Sequence, residues 1–405
     1  MNLLVVPKVY PRASVIGGPI LIYHRIKNLS RMGYRITVLA PAVSEEDHSD
    51  TSLKPFCDSI ILIDSPGQRT SLEIEELQAR LKRPPFFLSG DGGYDPNFDN
   101  TFRALLKSNH YDAIIAEYSM MGQYIEGARS IIPPNTMTII SVHECYTQAF
   151  RQRVQKGESI PAKTIDQLYE YEFKMYRSAD HVLTLTREDK DAVTSLAPDL
   201  AGKIHVVPHG VDSAFYTPPP SKSRDCCNIL FLGNFRHPPN VNAVHNFMQH
   251  CWPEISREVP DARFYAIGFD PPAELLSYQN ERIIVREGGS HADVRQIYWI
   301  GDIFVAPIEL GGGFRGKMLE ALACGLPVVS TSLAAFGIDP VNGKEMYIDD
   351  DYQEFTRHVI LLLKNVELRK TMSAMSRALG ERFDHKHAAR KLHATIEQYL
   401  SRKNA

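Results

Sequence analysis

Short apolar runs recur along this chain at the spacing of buried strands, with helical patterns between them, and the series runs twice. Leu3–Val6, Arg35–Ala40, Ser59–Asp64, Asp112–Ala116, Met137–Val142, His181–Thr186 and Ile204–Val207 read as strands. Helices fit between most of them. Pro19–Met32 is expected to stop at Gly33, and Ser71–Leu81 to open on the capping box Thr70-x-x-Glu73. Strands that are apolar throughout, separated by helices, belong to a parallel sheet covered on both faces. The pattern pauses at Pro208–Arg224, where three consecutive prolines and several small polar residues read as a linker. It restarts at Asn228–Gly233, Ala262–Gly268, Arg282–Val285, Ile303–Ala306, Leu326–Thr331 and Glu345–Ile348. The expectation is an α/β chain of two doubly wound domains, 1–207 and 208–385, each with a ligand crevice at the carboxyl ends of its strands. The closing helices Tyr352–Asn365, Glu367–Arg382 and His387–Ser401 have no strand between them, and 386–405 is expected to pack back on the first domain.

A length of 405 residues exceeds what one ordinary core organises, which agrees with two domains. The hydrophobic share of 43% and charged share of 23% are those of a soluble globular protein. A net charge of −3 argues against a nucleic-acid binder. No apolar run approaches the ~20 residues of a membrane span. Met1–Val6 lacks a basic leader and reads as a first strand rather than a signal peptide. The six cysteines show no CxxC spacing, and Cys226 beside Cys227 makes poor disulfide geometry, so reduced thiols and a cytoplasmic location are expected.

Chemistry concentrates in Gly311–Ser330. The glycines Gly311, Gly312 and Gly313, then Phe314, bring bare backbone amides up to a helix whose mouth carries Arg315 and Lys317. Glycine-rich backbone, a helix N-terminus and two cations suit a phosphate. Met318, Leu319 and Leu322 fall on one helix face, and Lys317, Glu320 and Cys324 on the other; Gly325 suits the C′ position. Glu320, a turn deeper, can accept hydrogen bonds from sugar hydroxyls. The plainer alternative is a surface Lys317–Glu320 pair at i, i+3.

Three further places stand at strand ends. Gly17 and Gly18 precede Pro19 at a helix start, which suits either close approach of a ligand or a tight turn. His143 and Glu144 end the strand Met137–Val142 at the crevice side; His143 can bond a sugar hydroxyl or be a satisfied structural histidine. Arg236, in the loop Gly233–His237, can reach a diphosphate or be a solvated loop cation. No G-x-G-x-x-G follows either first strand, and there is no G-x-S-x-G elbow. The fifteen histidines form no metal-binding spacing, and no metal is expected. Asp349, Asp350 and Asp351 read as the start of the helix near Tyr352.

Taken together and in order, these residues resemble the retaining nucleotide-sugar glycosyltransferases of family 4 (group 1), which have the GT-B architecture of two Rossmann-like domains facing a central crevice. Gly17-Gly18, Gly33 through Val38, Ser141-Val142-His143, Pro208-His209-Gly210-Val211-Asp212, Gly233–Asn240, Lys317–Ser330 and Asn342-Gly343-Lys344 carry the match from end to end. The donor loop fits the subset with G-G-x-R-x-K-x-L-E. The resemblance implies that Glu320 binds the donor ribose, that Gly17 and Gly18 lie against its diphosphate, and that His143 contacts the transferred sugar. Two departures follow from the same match. The family's sugar-contacting glutamate is replaced by Gly312, and its Arg and Lys after the second domain's first strand fall at Asn234 and Pro239. Arg315 and Lys317, with Arg236, are expected to supply the lost charge.

The implied reaction moves a hexose-type sugar from a UDP- or GDP-sugar to a glycan, lipid-linked or small-molecule acceptor, with retention by same-face attack and domain closure over the donor. No cofactor and no metal is required, because cations and helix N-termini neutralise the leaving diphosphate. A sugar-nucleotide epimerase and a non-catalytic sugar-nucleotide-binding protein share the fold and remain alternatives. Arg25, Lys27, Arg31 and Arg35 form either a basic face for peripheral contact with anionic lipid or a solvated helix.

Overall fold

The computed structural model describes residues 1–13, 18–65, 67–89, 92–155, 157–220, 227–288, 294–311 and 314–404. These form two units, Met1–His209 with Ala388–Ala405, and Gly210–His387.

The first unit holds the strands β1 (Asn2–Pro7), β2 (Arg35–Ala42), β3 (Ser59–Asp64), β4 (Ala113–Glu117), β5 (Met137–Val142), β6 (His181–Thr184) and β7 (Ile204–Val206), in the order β3-β2-β1-β4-β5-β6-β7. All neighbours run parallel. The central strands β4 and β5 are buried at every position, including the polar Glu117, Thr138 and Ser141, as strands covered by helices on both faces are. The helix Gly18–Arg31 follows β1 and ends where Gly33 takes a φ of 90° that other residues adopt at a cost. Thr70 and Glu73 form the expected capping box at Ser71–Leu81. The last helix, His385–Asn404, places Ala388, Leu392 and Ile396 in one apolar cluster with Ile22, Ile26 and Leu29, and His393 Nδ1 lies 2.9 Å from the Tyr34 hydroxyl.

The second unit holds β8 (Asn228–Leu232), β9 (Arg263–Gly268), β10 (Ile283–Glu287), β11 (Ile303–Ala306), β12 (Val328–Ser330) and β13 (Tyr347–Ile348), in the order β10-β9-β8-β11-β12-β13, again all parallel. The strand expected over Glu345–Ile348 is shorter because Glu345 turns to Arg382, 3.1 Å away, and to the amide of Val341. Asp351 caps the helix Tyr352–Lys364, accepting from the amides of Gln353 and Glu354.

The segment expected to be a linker is not a free spacer over its described residues. Val211 and Tyr216 are buried in the second core, and the Arg377 guanidinium donates to the carbonyls of Ser213 and Tyr216. A second correction concerns the four-cation face. Arg25 turns inward and is buried, while Arg35 pairs with Asp58 at 3.2 Å and Arg31 lies over the Phe56 ring. Among the described residues no helix is long and apolar enough to cross a membrane.

In a doubly wound sheet ligands bind where the strand order reverses. That point falls between β1 and β4 in the first unit and between β8 and β11 in the second, at the carboxyl ends.

Candidate functional site

In the second unit the loops after β8 and β11 meet the helix Gly316–Ala323. Gly233 follows β8, and a Cβ there would strike the Asn240 side chain at 2.8 Å. Asn240 fills that space: its amide Nδ2 donates to the Asn234 carbonyl (2.7 Å), and its Oδ1 accepts from Lys317 Nζ (2.7 Å). Lys317 also stands 4.3 Å from the centre of the Phe231 ring. Its ammonium thus rests on a neutral amide and an aromatic face. Burial, then the neighbouring Arg315, pushes its pKa down to about 7, against the pull of Glu320. Arg315 stands at the N-cap of the helix and donates to the Gly311 carbonyl at 3.1 Å. Gly311 itself has a φ of 90°, and its missing side chain faces Pro239.

Glu320 accepts a 2.6 Å hydrogen bond from Tyr298, and Tyr216 supplies another. Burial raises its carboxyl above the ordinary value, with both tyrosines and Lys317 opposing. A carboxylate has about four acceptor positions, so capacity for a ligand remains. Lys317 and Glu320 therefore hold separate partners rather than forming the plain surface pair. Cys324, one turn on from Glu320, is buried beside the same tyrosines, and the helix closes there as a Schellman turn. Gly325 N bonds Leu322 O at 2.8 Å, and Leu326 N bonds Ala321 O at 3.0 Å. Gly325 has the positive φ expected of it, 70°.

Arg236 is exposed, 2.8 Å from Asp270 and above the Phe269 ring. That is the solvated loop cation, already paired. Phe314 is half-buried against the second core. Gly17, Gly312 and Gly313 lie outside the described residues.

In the first unit His143 leaves β5 with its side chain nearly buried, and its Nε2 lies 2.9 Å from Glu117 Oε2. The other oxygen of Glu117 accepts from Arg25 at 2.5 Å, and Arg25 also donates to Ser141 Oγ at 2.9 Å. Burial works against charge on Glu117, but Arg25 and His143 outweigh it and hold the carboxyl at about 2. Burial lowers His143 below its ordinary value, with Arg25 acting in the same direction and Glu117 against. Tyr118 stacks on His143 with ring centres 4.0 Å apart, from a backbone φ of 77°. A non-glycine residue held there stores strain, a cost met most often at functional sites. Gly18 completes the cluster. A Cβ on it would sit 1.7 Å from the Tyr118 hydroxyl and 3.3 Å from His143 Nδ1, so no side chain fits. Glu144 is exposed beside this group.

The sequence reading missed Glu117, Tyr118, Asn240, Tyr216 and Tyr298, and placed Arg25 on the wrong side of its helix. Glu117 had a signal: it is the one charge ending the apolar run Ala113–Ala116, where a buried ionisable group needs a partner. Tyr216 and Tyr298 had none, since they reach Glu320 from distant segments.

Comparison with known proteins bears on the family and the fold. Residues 226–365 match the glycosyl transferases group 1, and residues 16–215 match Glycosyltransferase Family 4. The chain is 27% identical over 154 residues to an uncharacterized 44.6 kDa protein in the cps region of Klebsiella pneumoniae, covering 36% of this chain and 40% of that one. It is 24% identical to a D-inositol 3-phosphate glycosyltransferase of Xylanimonas cellulosilytica, over 73% of this chain and 74% of that one. Sucrose-phosphate synthase from Thermosynechococcus elongatus superposes with a TM-score of 0.73 at 15% identity, covering 99% and 100% of the two chains. HepE of Anabaena, in complex with UDP, superposes at 0.68 with 14% identity, covering 98% and 100%. The two parallel-sheet units are those of the GT-B fold. The chain belongs to the group 1 glycosyltransferases of that fold.

Proposed function

We propose that this chain moves a hexose-type sugar from a nucleoside diphosphate sugar, a UDP- or GDP-sugar, to a hydroxyl of a glycan, lipid-linked or small-molecule acceptor, with retention at the anomeric carbon. The observation that carries the reading is the second unit's cation pair. Arg315 and Lys317 sit at the first turn of a helix beside glycine backbone, with Lys317 balanced by a neutral amide rather than a carboxylate. Such a place gains most from an anion that accepts hydrogen bonds, and a diphosphate does so. Glu320, one turn deeper, takes the ribose hydroxyls. His143 contacts the transferred sugar, beside Gly18. The departing diphosphate is neutralised by Arg315, Lys317 and the helix N-terminus, without a metal ion. The crystallisation of HepE with UDP and the activity in the name of the Xylanimonas relative support the donor class.

The test is a panel of nucleotide sugars chosen from mass spectra of ligands retained on the purified chain, offered with an acceptor panel. Release of the nucleoside diphosphate with a product of unchanged anomeric configuration, read by NMR, is expected. Conversion of the donor to its epimer without acceptor, or tight donor binding with no transfer, would overturn it.

A further inference from the structure

Behind His143 the first unit holds a buried set of polar groups, Arg25, Glu117 and Ser141, to which the transfer reaction as described gives no part. Arg25 from the helix Gly18–Arg31, Glu117 at the end of β4 and His143 after β5 stand in line, with Ser141 bonded to the same arginine nitrogen as Glu117. Arg25, Glu117 and Ser141 are all buried, so the arginine and carboxylate offset each other's charge. An ionised Glu117 has no proton to give. In its bond to His143 it accepts, and Nε2 carries the hydrogen. The neutral imidazole then has its lone pair on Nδ1, the nitrogen that faces Gly18, where any side chain would intrude.

We propose that Glu117, itself held by Arg25, is a positioning residue that fixes His143 as the Nε2–H tautomer and so presents Nδ1, beside Gly18, as an acceptor for a substrate hydroxyl. This rests on the reading that His143 touches the substrate. The Tyr118 ring keeps the imidazole plane fixed from one face, and the strained backbone at Tyr118 shows that the surrounding fold enforces that placement. The charged and titratable groups around His143 are Arg25 from the first helix, Glu117 and Tyr118 from the end of β4, Glu144 next in its own loop, and Lys8 after β1, whose ammonium lies 5.7 Å from the Tyr118 ring centre. Burial and Arg25 favour the neutral ring, so the accepting form is the one present at neutral pH.

The arrangement is tested first without any substitution. Long-range proton–nitrogen NMR of the full chain labelled at histidine, with His143→Gln to assign its signals, is expected to show a neutral ring protonated at Nε2 at pH 7. An Nδ1–H tautomer, or a doubly protonated ring, would overturn the proposal whatever the activity. Glu117→Gln is then expected to lower kcat at least tenfold with little change in the donor KM. It should also move the acid limb of the kcat profile to lower pH, since the negative charge that favoured protonation is gone. A merely structural role would lower the amplitude without moving the limb, and that result would also overturn the proposal. The double variant Arg25→Met with Glu117→Gln removes both buried charges. If the single variant does not fold, the same loss and the same shift are expected of the double one, and their absence there counts against the proposal equally. Full activity of His143→Gln would instead refute substrate contact by His143, while the tautomer measured in the unaltered chain would still decide the arrangement.

Discussion

At the scale of single residues the second unit's site is defined by what surrounds each charge. Lys317 titrates near 7 because burial and Arg315 disfavour its ammonium, and an arriving diphosphate reverses that balance. Binding of a nucleoside diphosphate should therefore take up a proton above pH 7, and affinity should fall as pH rises through that value. Calorimetry in buffers of different ionisation enthalpy reads the uptake directly; a signal independent of buffer at pH 8 would contradict it. Glu320→Gln should impair donor use while leaving the melting curve unchanged. A 2′-deoxyribose donor used by the unaltered chain as well as its ribose counterpart would count against the ribose role. The residues at strand ends and glycine loops were legible in the sequence, because strand termini in an α/β sheet face one side and glycine marks close approach. Asn240, Tyr216 and Tyr298 were not. Each acts through a contact between segments far apart in sequence, and an asparagine or tyrosine carries no local mark of such a partner.

At the scale of elements, the helix Gly316–Ala323 is held at both ends. Arg315 stands at its N-cap, while Arg377 donates to the Ala323 carbonyl at its close and Ser373 to that of Gly325. The helix Val366–Arg382 can lie this close only because of Gly380. A Cβ there would sit 2.5 Å from the Ala323 backbone nitrogen and 2.7 Å from its α-carbon. Gly380→Ala should cost about 1–3 kcal/mol, as overpacking a rigid contact does. Denaturant unfolding should show it, accompanied by a rise in donor KM as the helix is displaced. Unaltered stability would mean that the two helices slide apart freely. The strands themselves were the most legible elements, since a wholly apolar run bounded by turn residues has few other uses. The inward turn of Arg25 escaped, because a helix that carries four cations in and just after it reads as solvated unless the carboxylate waiting at the end of β4 is known.

For the whole molecule, the buried charges of the first unit tie folding to pH. Glu117 is held near 2, below its ordinary value, so its contribution is fully present above about 4.5 and is lost as pH falls from there toward 2. His143, buried and shifted down, loses stability in the same direction once the unfolded chain can take up a proton that the folded ring resists. Acid unfolding followed by circular dichroism should fall steeply below about pH 5, by a few kcal/mol on the order expected for such shifts. The variant Arg25→Met with Glu117→Gln should flatten that fall; an unchanged curve would place the acid sensitivity elsewhere.

In the proposed donor site Arg315 and Lys317 hold the diphosphate themselves. Charge-assisted contacts of this kind are worth ~1.5–3 kcal/mol each. The measurement is calorimetric binding of UDP and GDP in excess EDTA, to the unaltered chain and to Arg315→Ala. Binding of one of the two nucleotides is expected to survive the chelator and to weaken at least tenfold in Arg315→Ala. Binding abolished by EDTA and restored by one divalent ion, with Arg315→Ala indistinguishable from the unaltered chain, would contradict it.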